Sequence, residues 1–91
     1  MINLLPIGSV VLLKESNKRV MVTGRLQRQV EKNIVWDYCG CYYPEGIINP
    51  NELFLFNHSQ IQLVFFIGFQ DKEGLEFQQI LTDKYNEFKP E

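Results

Sequence analysis

The pair His58-Ser59, the motif Cys39-Gly40-Cys41 and the scattered carboxylates are the side chains from which any catalysis or metal binding would have to be built. His58 is the one histidine, so a zinc site would need both cysteines plus a carboxylate, a set unlike the usual structural spacings. The sequence therefore predicts no metal site. Neighbouring residues rarely point at each other, and no Gly-x-Ser-x-Gly elbow or orienting acid accompanies His58 and Ser59, which read as turn residues. A bridge between Cys39 and Cys41 would close a very tight ring, so they read as free thiols, two small hydrophobes at a strand end with Gly40 permitting a bend. The carboxylates lie mainly in turns and on a helix face, without the opposed pair of a glycosidase, and no Gly-x-x-x-x-Gly-Lys-Ser/Thr phosphate cradle occurs. No catalytic residue and no cofactor are expected, and the chain reads as a non-enzyme.

Binding chemistry is better represented. Tyr42, Tyr43, Pro44, Glu45, Gly46, Ile47 and Ile48 put two aromatics and two branched apolar residues into one loop. Such residues either cap a small core or form a contact patch, since tyrosines supply interface area at low entropic cost. Lys14, Lys18, Arg19, Arg25, Arg28 and Lys32 hold most of the positive charge in the first third, whereas Asp71 onward carries six carboxylates against three lysines. The chain is electrically polarised. The candidate partner-binding residues are accordingly Tyr42, Tyr43, Pro44, Glu45, Ile47 and Ile48, with Arg25 from the basic segment.

These residues must be positioned by a β-rich body, 4–69, and one helix at about 72–88. Pro6 and Gly8 make an opening turn before Val10 to Leu13, the first strand. The polar hexapeptide Lys14 to Arg19 turns into a second strand, Val20 to Val30, in which Val20, Val22 and Leu26 alternate and Gly24 marks a bulge. After Glu31-Lys32-Asn33 comes Ile34 to Tyr38, the third strand. Gly40, Pro44, Gly46 and Pro50 then predict a loop from Gly40 to Glu52. Leu53 to Phe56 is a short strand and Ile61 to Phe69 a long one, apolar on both faces and so expected at the centre of the sheet. Asp71 caps an amphipathic helix with Phe77, Ile80, Leu81, Tyr85 and Phe88 on its core stripe, ended by Pro90. The fold class is α+β, a bent and mostly antiparallel sheet of about five strands or a small SH3-like, partly open barrel, plus the C-terminal helix.

The 91 residues make one domain, 1–91, with 45% hydrophobic residues, enough for a core. A net charge of -2 argues against nucleic acid as partner, although a curved sheet with basic hairpins and aromatics keeps single-stranded nucleic-acid binding as the alternative function. No apolar run is long enough to span a membrane. The N-terminus, with apolar Ile2, lacks the basic region and cleavage site of a signal peptide, which predicts a cytoplasmic protein. An unprotected edge strand would allow a homo-oligomer.

Leu5-Pro6-Ile7-Gly8-Ser9-Val10-Val11, Met21-Val22-Thr23-Gly24-Arg25, Asp37-Tyr38, Tyr43-Pro44-Glu45-Gly46, Phe56-Asn57 and Val64-Phe65-Phe66-Ile67-Gly68-Phe69 occur in this order over nearly the whole chain. Together they resemble a domain-of-unknown-function family of small proteins from Gram-positive bacteria, often encoded beside LXG toxins in type VII secretion gene clusters. The resemblance implies a non-enzymatic accessory or chaperone-like protein that binds a toxin or its helical partner proteins. It transfers no site residue, and Cys39 and Cys41 depart from its pattern.

Overall fold

The computed structural model describes residues 3–89; Ile2, and Pro90 as the helix stop, lie outside them. The elements are β1 (Val10–Leu13), β2 (Arg19–Gln29), β3 (Ile34–Tyr42), β4 (Phe54–Phe56), β5 (Ile61–Phe66) and α1 (Lys72–Phe88), with 3₁₀ turns at Val30–Lys32, Pro50–Glu52 and His58–Gln60. All pairings are antiparallel in the order β4-β3-β2-β1-β5, which makes a five-stranded open sheet with one helix, an α+β fold.

This order forces the sheet to bend. β4 and β5 are its opposite edges yet are joined only by 57–60. Five flat strands span about 19 Å from edge to edge, whereas five extended residue steps reach about 17 Å and a 3₁₀ turn reaches less. The edges must therefore curl toward each other, as expected of a partly open barrel. Inside the curl lie Val11, Val20, Val22, Tyr38 and Phe56, closed by Leu4 and by Leu81 of α1. The bulge expected at Gly24 is present one residue earlier: Thr23 is unpaired where the β2–β3 register slips between Val22 and Gly24.

Three expectations are corrected. β3 does not stop at Tyr38 but continues through Cys39, Gly40 and Cys41 to Tyr42, because Gly40 is a packing residue and not a bend. A Cβ there would lie 2.6 Å from the Met21 carbonyl oxygen and 3.1 Å from the Phe56 ring, so the missing side chain lets Phe56 cross the strand. β5 is not central and ends at Phe66: it pairs with β1 alone, and Leu63, Val64, Phe65 and Phe66 stay about half exposed. An apolar run on both faces is equally compatible with a central strand and with an uncovered edge, which periodicity does not separate. The helix stripe is rotated from the expected one. Gln78, Leu81, Thr82, Tyr85 and Lys89 turn inward, while Phe77, Ile80 and Phe88 remain about half exposed. The Asp71 cap is as expected, its side chain accepting the Gly74 N–H at 2.8 Å.

Candidate functional site

The Tyr42–Ile48 loop projects from the end of β3 and closes on itself where the Gly46 N–H donates to the Tyr42 carbonyl at 2.8 Å. Gly46 has φ +80, a left-handed conformation that costs glycine nothing. Two further contacts fix the loop to β2. The Tyr43 N–H donates to the Arg19 carbonyl at 3.0 Å, and the Lys18 ammonium lies 2.7 Å from Glu45, holding that carboxyl below the usual carboxylate range. Tyr42 leans on Phe54, ring centroids 4.4 Å apart, yet keeps 41% of its surface. Tyr43, Ile47 and Ile48 are likewise exposed. The loop therefore presents its apolar side chains outward instead of capping the core.

The basic segment is connected to this loop through Arg19, which sequence reasoning did not single out. Its guanidinium lies 5.1 Å from the Tyr43 ring centre and 5.9 Å from that of Phe65 on β5, so it is held between two aromatic rings. Beneath it is a groove of about 500 Å³ over Val10 and Met21, walled by Tyr43, Phe65 and Phe66. Among the described residues Arg19 has no carboxylate partner. The signal available beforehand was only its position at the start of β2, opposite an aromatic loop of unknown direction.

Arg25 is placed elsewhere. Its guanidinium donates to the Leu5 carbonyl at 3.2 Å and to Gln78 Oε1 at 3.1 Å, tying the N-terminal segment to α1, and burial lowers its pKa. Of the loop candidates Tyr42, Tyr43, Pro44, Glu45, Ile47 and Ile48, Tyr43 lies against Arg19 while the others follow on the same exposed loop, and Arg25 does not join them.

A second constellation is polar and buried. Asp37, 2% exposed, accepts the Lys89 ammonium on Oδ1 at 2.7 Å and the His58 N–H on Oδ2 at 2.8 Å. The Tyr38 hydroxyl accepts the Leu5 N–H at 2.9 Å and lies 2.7 Å from His58 Nδ1, leaving its own proton for that nitrogen. His58 and Ser59 form no nucleophile and base: the imidazole is committed to Tyr38, and Ser59 is exposed on the turn. Cys39 and Cys41 are free thiols, with burial raising the pKa of Cys41. No three His, Cys, Asp or Glu side chains converge on a metal position among the described residues.

Burial pushes the Tyr38 phenol up to about 12, with the neighbouring Asp37 charge adding to it against the Leu5 hydrogen bond. A folded-state pKa above the unfolded value near 10 leaves the full contribution in place below pH 10. Above that, the unfolded chain loses its phenolic proton first, so stability falls as pH rises toward 12, by on the order of 2 kcal/mol. Urea unfolding at stepped alkaline pH should show this slope, and Tyr38→Phe should flatten it; an equal slope in both proteins would refute the assignment.

Residues 4–77 match a family model described as "Domain of unknown function (DUF4176)". No curated protein and no solved structure matches. No helix is long and apolar enough to cross a membrane among the described residues.

Proposed function

We propose, from the premise that the chain belongs to the DUF4176 family of domains of unknown function, that it is a non-enzymatic protein-interaction module whose partner docks on the Tyr42–Ile48 loop and the Arg19 groove. The observation that carries this reading is the outward presentation of Tyr43, Ile47 and Ile48 on one loop, with Tyr43 beside a guanidinium that has aromatic neighbours and, among the described residues, no carboxylate. Exposed aromatic and branched apolar side chains next to an arginine are the residue types that carry binding energy at interfaces. The finer reading follows the family resemblance: the partner is an LXG toxin or one of its helical partner proteins, and the chain acts as an accessory or chaperone-like protein in the cytoplasm before type VII export.

Single-stranded nucleic-acid binding has less support. Lys18 faces Glu45, Arg25 holds a backbone carbonyl and Gln78, and Arg28 bonds Asn33 at 2.7 Å with Phe88 beneath it, so three of the six cations of the basic segment are engaged within the fold.

Co-purification with the proteins encoded beside it tests the proposal. At least one should bind at micromolar concentration, and Tyr43→Ala/Ile48→Ala should weaken it by at least about tenfold while leaving the unfolding midpoint unchanged. Absence of any such binder, or wild-type affinity in the double variant, would discard the reading, as would tight, salt-sensitive binding of a single-stranded oligonucleotide with no protein partner.

A further inference from the structure

We infer that the cavity between the start of α1 and the segment before β1 binds a small free carboxylic acid with an apolar body, the Arg25 guanidinium taking its carboxylate. The site is separate from the loop and the Arg19 groove proposed above for a protein partner. Its volume is about 380 Å³, within the range of small-ligand pockets. Ile7, Phe69, Leu75 and Phe77 line it with apolar side chains that are about half exposed or more, and Arg25 and Gln78 line it with polar ones.

Arg25 sets the charge of the ligand. Among the described residues no carboxylate lies within ion-pair distance of it. Burial works against its charge, and the neighbour that offsets part of this is Tyr38, not an acid. Its two protein acceptors, the Leu5 carbonyl and Gln78 Oε1, are neutral and both bind Nη1. Nε and Nη2 have no acceptor among the described residues, and together they form the side-on fork that a carboxylate fills with two parallel hydrogen bonds. The guanidinium carbon lies 5.9 Å from the Phe77 ring centre, so an aromatic wall adjoins the cation. Donors exceed acceptors around it, since Gln78 Nε2 is also buried without a partner among the described residues. A guanidinium drawn out of water without a counter-charge is unfavourable, and a bound carboxylate supplies that charge.

The other charges at the cavity belong to the first turn of α1 and are exposed. Asp71 accepts the Gly74 N–H as the helix cap, and Glu73 has Lys72 beside it in the chain, so water and the opposite charge weaken their repulsion of an anion. Arg25 is the more buried charge, and it is the one that a ligand inside the cavity meets. The apolar lining selects the rest of the ligand. An inorganic anion would leave Ile7, Phe69, Leu75 and Phe77 uncovered, whereas an acid carrying an aromatic ring or a short alkyl chain covers them.

Titration of the isotope-labelled full chain with hydrocinnamate and with octanoate, followed by nuclear magnetic resonance, tests this. At least one should bind saturably at about millimolar concentration or tighter and move the Arg25 Nε–H signal, and its uncharged amide should bind at least about tenfold more weakly. Leu75→Glu, at an exposed wall position, should weaken the acid at least about tenfold, and Glu73→Gln should tighten it about twofold, both with the unfolding midpoint unchanged. Arg25→Gln should abolish binding and Arg25→Lys, which keeps the charge without the fork, should retain part of it. Since Arg25 also ties the N-terminal segment to α1, the two exposed variants decide the matter if Arg25→Gln does not fold. Tyr43→Ala/Ile48→Ala should bind the acid as the wild type does, which separates this site from the loop. No saturable binding of either acid, equal affinity for acid and amide, indifference to Leu75→Glu, or weaker binding by Glu73→Gln would overturn the inference. So would a short peptide ending in a free phenylalanine carboxylate that binds at least about tenfold more tightly than both acids, because the site would then take a polypeptide terminus.

Discussion

Gly68→Ala is expected to lower the unfolding free energy by at least about 3 kcal/mol, the scale of a severe overpacking. Gly68 is buried where the segment after β5 crosses the segment before β1, and its N–H donates to the fully buried Ser9 hydroxyl at 3.0 Å. A Cβ on Gly68 would fall on the Ile7 carbonyl group, 3.0 Å from the Ser9 nitrogen. Both obstacles are backbone. Neither can swing aside, because this segment is held by its own bonds: the Gly8 N–H donates to the Val22 carbonyl at 2.8 Å, and the Val22 N–H donates to the Ser9 carbonyl at 2.8 Å. Gly46→Ala is the control. A Cβ there meets nothing, so the cost is only that of a left-handed alanine, about 1 kcal/mol. Urea unfolding of the two variants should rank them clearly, and a Gly68 variant no less stable than the Gly46 variant would show that the crossing relaxes freely.

The second large effect is expected at Lys89. Lys89→Met should cost about 3 kcal/mol, because it strands the Asp37 carboxylate inside the molecule with one backbone donor, the His58 N–H, in place of two. Asn57 Oδ1, which accepts from both the Asp37 N–H at 3.1 Å and the Lys89 ammonium at 2.9 Å, loses a donor as well. The double variant Asp37→Asn/Lys89→Met removes both charges and should recover part of the loss, since deleting a buried pair is less damaging than breaking it. Chemical denaturation of the single and double variants gives the comparison. A single-variant cost below about 1 kcal/mol would mean that the pair behaves as an exposed one.

These two sites take in most of the sequence motifs singled out above. Leu5 to Val11 and Val64 to Phe69 meet at the Ser9–Gly68 crossing, Asp37-Tyr38 and Phe56-Asn57 meet around His58 and Lys89, and Arg25 clasps the Leu5 carbonyl. These motifs are thus largely the fasteners of the fold. Tyr43-Pro44-Glu45-Gly46 is the exception, since it shapes the exposed loop.

Local chemistry was enough to read much of this from the residues alone. Asp71 caps a helix because its side chain reaches an N–H three residues on, Gly24 marks a bulge, and the polar run after Leu13 turns the first hairpin; each depends on near neighbours in the chain. The loop candidates were legible for the same reason, as apolar residues set among turn formers. What only the tertiary structure decided depends on partners distant in sequence. Whether β5 is covered rests on which strands flank it, not on its own pattern. Whether Gly40 bends the chain or admits a ring depends on Phe56, sixteen residues away. Arg19 and Arg25 are alike in sequence, yet one is held between the aromatics of two separate elements at a groove and the other is a tie to the helix, because the bend of the sheet brings β5 to the first and α1 to the second.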